Sequence, residues 1–134
     1  ADPMDGVIMS KKQIQPENVP APGGTYSHGI VVGDFVYTAG MGPIDPQTGK
    51  VVGDDVATQT RQVLKNLQAV LAAEGLTFDD VVKCTVHLQE LYRDFAAYDE
   101  VYREHFNEPY PVRTTVGSDL MNMLVEIDLV AYNS

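Results

Sequence analysis

The chain has 134 residues, enough for one domain with a sizeable core. Nine Lys and Arg against nineteen Asp and Glu give a formal charge of −10, a surface sign that repels phosphate polymers and disfavours a nucleic-acid partner. A single cysteine, Cys84, excludes an internal disulfide and a Cys-rich zinc site, and no run of about 18 apolar residues exists to span a membrane.

Ala1-Asp2-Pro3-Met4 precedes a methionine without periodicity and reads as a vector-derived scar. Lys11 and Lys12 lead into polar residues rather than an apolar run, so a cytoplasmic protein without a membrane partner is expected. Pro16, Pro20 and Pro22 punctuate an irregular lead-in. Gly29–Val32 and Phe35–Ala39 flank Gly33-Asp34, which predicts a hairpin with a type II′ turn. Gly40–Pro43 breaks the strand, Asp45–Gly49 turns, and Lys50–Val52 is expected as a third short strand.

Asp54 or Asp55 caps the clearest helix, whose apolar stripe is Val56, Val63, Leu64, Leu67, Val70 and Leu71; Gly75 ends it. Thr77 and Asp80 predict a capped single turn. Val82, Cys84, Val86 and Leu88 alternate with polar residues as the next strand. A second helix is expected to start at an Asp94 cap, carry Phe95, Tyr98, Val101, Tyr102 and Phe106 on one side, and stop at Asn107 and Pro109. Pro111–Val116 and Leu124–Val130 form the last two strands.

The order β-β-β-α-β-α-β-β describes one α+β domain, a sheet of about six strands with two helices on one face. On the last strand Leu124, Glu126, Asp128, Val130 and Tyr132 share the other face, a mixture suited neither to a dry core nor to open water. Such faces mark subunit interfaces, and a homo-oligomer with facing sheets is inferred.

Arg113 and Glu126 stand thirteen residues apart, one in each of the last two strands. A two-residue turn at Asp119-Leu120 would set them directly opposite in an antiparallel pair, with Cβ atoms roughly 4.5–5.5 Å apart. That pair reads as an anion-gripping fork beside a carboxylate that orients water, or as a cross-strand salt bridge on a solvated face. His28, His87 and His105 show no metal-ligand spacing and are expected at the surface or an interface; Cys84, on an apolar face, is expected to be inert.

Tyr26-Ser27-His28-Gly29, Thr38-Ala39-Gly40, Gln59–Leu64, Val81–Val86 and Pro111-Val112-Arg113 occur in the order seen in the RidA/YjgF family of reactive-intermediate deaminases, also described as the endoribonuclease L-PSP family, and the chain resembles that family from about Glu17 to Tyr132. Residues 1–16 then count as added residues and lead-in, and 17–134 as a single RidA/YjgF-like domain. The resemblance implies a chorismate-mutase-like fold and a homotrimer with sites in the clefts between subunits. It further implies cofactor-free hydrolysis of 2-imino acids to 2-oxo acids and ammonia, with such a 2-imino or 2-oxo acid as the small-molecule partner.

By the same resemblance Arg113 binds the substrate carboxylate, Glu126 holds the water, and Tyr26 closes the pocket. Gly40 lets backbone approach the ligand. Thr115, two residues beyond Arg113 and so on the same face of a strand, is expected to bind substrate through a hydrogen bond from its hydroxyl to the ligand or the water. Some positions depart from the family: Thr115 replaces a frequent cysteine, Met41 a glutamine, Thr25 a proline and Asp99 an asparagine. The loop before the last strand is about two residues shorter than in the archetype. A non-catalytic trimer that binds small carboxylates or acts as a chaperone remains the alternative; a ribonuclease or translation inhibitor fits the charge less well.

Overall fold

The computed structural model describes residues 10–134, so the segment read as a scar lies outside the described residues. Helix α1 (Val56–Ala72) begins where the Asp55 carboxylate accepts from the Thr58 amide at 2.9 Å, satisfying one of the amides that a helix start leaves free. It ends in a Schellman arrangement. Leu76 N–H donates to the Leu71 carbonyl and Gly75 N–H to the Ala72 carbonyl, while Gly75 takes φ +73°, which a side chain would resist. Thr77 and Asp80 form the reciprocal box of a single 3-10 turn, Phe78–Asp80.

The strands are β1 (Lys12–Gln13), β2 (Gly29–Val32), β3 (Phe35–Thr38), β4 (Val81–Leu88), β5 (Val112–Gly117) and β6 (Val125–Tyr132), joined in one sheet of order β1-β2-β3-β6-β4-β5. Gly33, at φ +58°, makes the tight turn between β2 and β3. Helix α2 (Leu91–His105) connects β4 to β5. The register aligns Val36, Cys84, Val86, Ile127, Leu129 and Ala131 on one face, all buried beneath the two helices. The other face has no helix over it among the described residues. Tyr37, Phe35, Tyr132, Val112 and Val116 lie on it with more than a third of their surface exposed.

Four expectations are corrected. Lys50–Val52 is not a sheet strand; Val51 bridges only Ile44 across the Asp45–Gly49 turn, and the third early strand is instead Lys12–Gln13, inside the segment expected to be irregular. Helix α2 starts at Leu91 rather than at an Asp94 cap: Asp94 N–H already donates to the Glu90 carbonyl at 2.9 Å within the first turn, and its carboxylate accepts two hydrogen bonds from Arg93. A bulge between Val81 and Lys83 turns Val82 outward and Val81 inward, breaking the simple alternation in β4.

The fourth correction matters most for the site. Strands β5 and β6 do not pair: β5 runs parallel to β4 across the α2 crossover, and β4 separates it from β6. The segment 118–124 therefore crosses the end of β4 instead of making a two-residue turn. Ser118 N–H donates to Leu88, Leu124 accepts from Gln89 N–H, and the buried Gln59 side chain accepts from Leu124 N–H at 2.8 Å.

Candidate functional site

Strand β5 is an edge strand, and its register with Cys84 turns Arg113 toward the helix-covered face. The guanidinium carbon sits 4.6 Å from the Tyr102 ring centre, 5.3 Å from Tyr98 and 5.8 Å from Phe95, within cation–π range of three α2 aromatics. Asp99, also on α2, accepts from Arg113 Nη1 at 2.7 Å through Oδ1 and from Arg103 Nη2 at 2.9 Å through Oδ2. Arg113 thus has one corner tied and the rest of its fork free toward a cavity of about 400 Å³ lined by Asp99, Tyr102, Arg103, Tyr110 and Pro111. Beneath it Cys84 is fully buried, and burial pushes its thiol up to about 11. Burial likewise raises the phenols of Tyr98 and Tyr102, so both stay protonated, the Tyr102 hydroxyl without a hydrogen-bond partner.

Glu126 pairs with His87 across β6 and β4 and projects from the open face. The backbone of Gly40 presses against it: a Cβ there would lie 2.5 Å from Glu126 Oε2 and 2.8 Å from its carboxyl carbon. The bridge between Met41 and Ile127, with hydrogen bonds of 2.8 and 3.2 Å, fixes that approach. Buried Asn66 anchors the same segment by donating to the carbonyls of Gly42 and Ile44. Tyr26 stands nearby, its hydroxyl accepting from the Gly23 amide and its ring edge-on to His28 at 6.0 Å. The His28 ring bonds the Pro20 carbonyl, which holds the loop carrying Tyr26. Tyr26, Gly40 and Glu126 line one cavity of about 630 Å³.

The structure therefore brings three of the five sequence-derived site residues together and leaves two apart. Arg113 and Glu126 are not cross-strand partners. Arg113 aligns with Cys84 and Leu129, whereas Glu126 aligns with His87 and Val116, so the two side chains leave opposite faces of the sheet. The salt-bridge alternative fails for the same reason; the ion-pair partner of Arg113 is Asp99. The Thr115 hydroxyl shares the Arg113 face and is engaged with Tyr98 Oη at 2.8 Å. His28, expected at the surface or an interface, is buried with Nδ1 unpartnered.

Sequence reading gave no site role to Asn66, Gln59 and His28, which position the site loops. Gln59 and Asn66 sit on the apolar stripe of α1 with Val63, Leu67 and Val70, and a polar residue on a buried stripe is the available signal. Among the described residues no three His, Cys, Asp or Glu side chains converge as a metal would require, and no helix is long and apolar enough to cross a membrane.

The family model for Endoribonuclease L-PSP matches residues 16–133. A RutC family protein of Pyrococcus horikoshii is 45% identical over 124 residues, covering 91% of this chain and 98% of the relative. Reactive Intermediate Deaminase A of Arabidopsis thaliana, a chloroplastic protein, is 37% identical over 125 residues, covering 92% of this chain and 66% of the relative. Among solved structures, E. coli TdcF with bound serine superposes with a TM-score of 0.84 at 36% identity, covering 92% and 99% of the two chains. RidA from the Antarctic bacterium Psychrobacter gives 0.84 at 38% identity, covering 90% and 98%.

Proposed function

Because the chain belongs to the RidA/YjgF family, whose family model is Endoribonuclease L-PSP, we propose that it hydrolyses reactive 2-imino acids to 2-oxo acids and ammonia without a cofactor. Arg113 receives the substrate carboxylate. A planar guanidinium pairs with a carboxylate through two donors, and the aromatic cage and Asp99 hold it oriented before the ligand arrives. Glu126 orients a water and accepts its proton as the oxygen adds to the imine carbon. Glu126 passes that proton to the nitrogen, giving a carbinolamine; the hydroxyl proton then follows to nitrogen as the carbonyl forms and the C–N bond breaks, releasing ammonia and the 2-oxo acid. Tyr26 covers the pocket, and Gly40 lets the backbone reach the ligand.

The single observation that carries this reading is the division of the site between two faces. Arg113 opens to one cavity, and Glu126 with Tyr26 and Gly40 to another. One protomer cannot bring both to one ligand; two can, if the Arg113 edge of one meets the Glu126 cavity of the next. The uncovered apolar face, with Phe35, Tyr37 and Tyr132 exposed, supplies a surface for that association. We take the assembly to be a homotrimer with its sites between subunits, as the family resemblance implies. Serine bound to the relative TdcF is a small carboxylate of the kind this cleft would accept.

Imines of this class already react with water, so placing water and carboxylate in register supplies the several kcal/mol required, roughly what oriented intramolecular reactions gain. The test couples an amino-acid oxidase, which generates imines, to semicarbazide, which traps them. Loss of semicarbazone signal with the protein present is expected; an unchanged signal across several imines would leave only the carboxylate-binding trimer. Arg113→Ala should abolish carboxylate binding and turnover while leaving the oligomer intact. Glu126→Gln should lower the rate more than the affinity, since its task concerns water.

A further inference from the structure

The cavity around Glu126 has both polar and apolar lining. Glu126, Tyr26, the buried His28 and the Gly40 backbone line it together with Ile44, Pro46 and Met123, which furnish an apolar wall; Met121 is 90% exposed, and Met41 belongs to the core beneath. Met123 packs against the backbone at Gly42, where a Cβ would come within 2.6 Å of its sulfur, so this glycine lets the thioether line the wall. The wall is also anchored: Gln59 and Gln89 fix the segment carrying Met121 and Met123, and Asn66 fixes the one carrying Met41 and Ile44.

Resting on the hydrolytic reading above, we propose that this wall is a side-chain subsite and that the preferred substrates are 2-imino acids with extended apolar side chains, aliphatic or thioether. With the reacting carbon beside Glu126, the substrate side chain has Met123, Ile44 and Pro46 as its apolar neighbours. Flexible, polarisable thioethers adapt to several side-chain shapes. Selection is therefore for apolar bulk rather than for one shape.

The experiment compares the imines of leucine, methionine and alanine in the oxidase and semicarbazide assay, and binding of 4-methyl-2-oxopentanoate with that of pyruvate by calorimetry. The leucine and methionine imines should exceed the alanine imine in kcat/KM by at least about tenfold, in the range that added methylenes give in an apolar pocket. Met123→Gln, close to isosteric but polar, should cut that ratio about tenfold. Met123→Leu should retain it, which a merely structural role for Met123 does not predict. Equal or better turnover of the alanine imine, or a ratio unmoved by Met123→Gln, overturns the subsite and leaves hydrolysis standing. No turnover, with 4-methyl-2-oxopentanoate bound at least tenfold tighter than pyruvate, overturns hydrolysis and supports the subsite. No turnover and no difference in binding overturns both.

Discussion

Replacing Gly40 by alanine tests the proposed role of Glu126 without touching Glu126. The new Cβ would stand 2.5 Å from Oε2, 2.8 Å from Cδ and 3.1 Å from Cγ of Glu126. An unstrained carbon–oxygen contact is about 3.3 Å or more, so the carboxylate must retreat by about 0.8 Å. A catalytic group misplaced by about 1 Å can cost 10²-fold, or about 2.7 kcal/mol of barrier. The fold should tolerate the change. The Gly40 backbone lies outside the left-handed region, and the atoms in the way belong to one flexible, partly exposed side chain. A glycine-to-alanine change in a compatible conformation even gains about 0.4–1 kcal/mol by restricting the unfolded chain. The expected outcome is about a hundredfold loss of kcat in the semicarbazide assay, with Tm near that of the parent. In a Glu126→Ala background the same change should add almost nothing, because the colliding atoms are gone. Parental turnover by the folded Gly40→Ala protein would refute the argument. A collapse of Tm would show that backbone, not the carboxylate, had to yield.

Asp99 tethers Arg113 through one hydrogen bond of 2.7 Å, so Asp99→Ala should raise KM about tenfold with less effect on kcat, a size typical of a lost hydrogen bond to a charged group. Asp99→Asn keeps an acceptor oxygen and should stay close to the parent; equal losses in the two variants would mean that charge, not the tether, matters. The Cys84 thiol is buried with its ionisation pushed up to about 11, so thiolate is scarce at pH 8. A disulfide reagent should label the protein only after guanidinium unfolding, and labelling of the native oligomer would contradict that burial.

Local physics made much of the chain legible. The Asp55 cap, the apolar stripe of α1, the glycine stop at Gly75, the Gly33-Asp34 hairpin and the Thr77–Asp80 turn each depend on residues within a few positions, and each formed as read. The alternation in β6 also placed Val125, Ile127, Leu129 and Ala131 inside. Strand Lys12–Gln13 was illegible because two polar residues gain their structure only by pairing with β2. Val82 faced outward because a bulge, not an alternation, set its side.

Amino-acid order by itself marked out both helices and strands β2 to β6, since propensity, capping and periodicity act over short spans, whereas the five candidate site residues were named through the family resemblance. Tertiary structure alone decided who neighbours whom. The α2 crossover forces β5 alongside β4, which sends segment 118–124 over the strand end and delivers β6 to the far side. One intervening strand and one change of parity put Arg113 and Glu126 on opposite faces. Pairing between distant strands is settled by how the whole sheet buries its apolar face, and no local pattern around either residue encodes it.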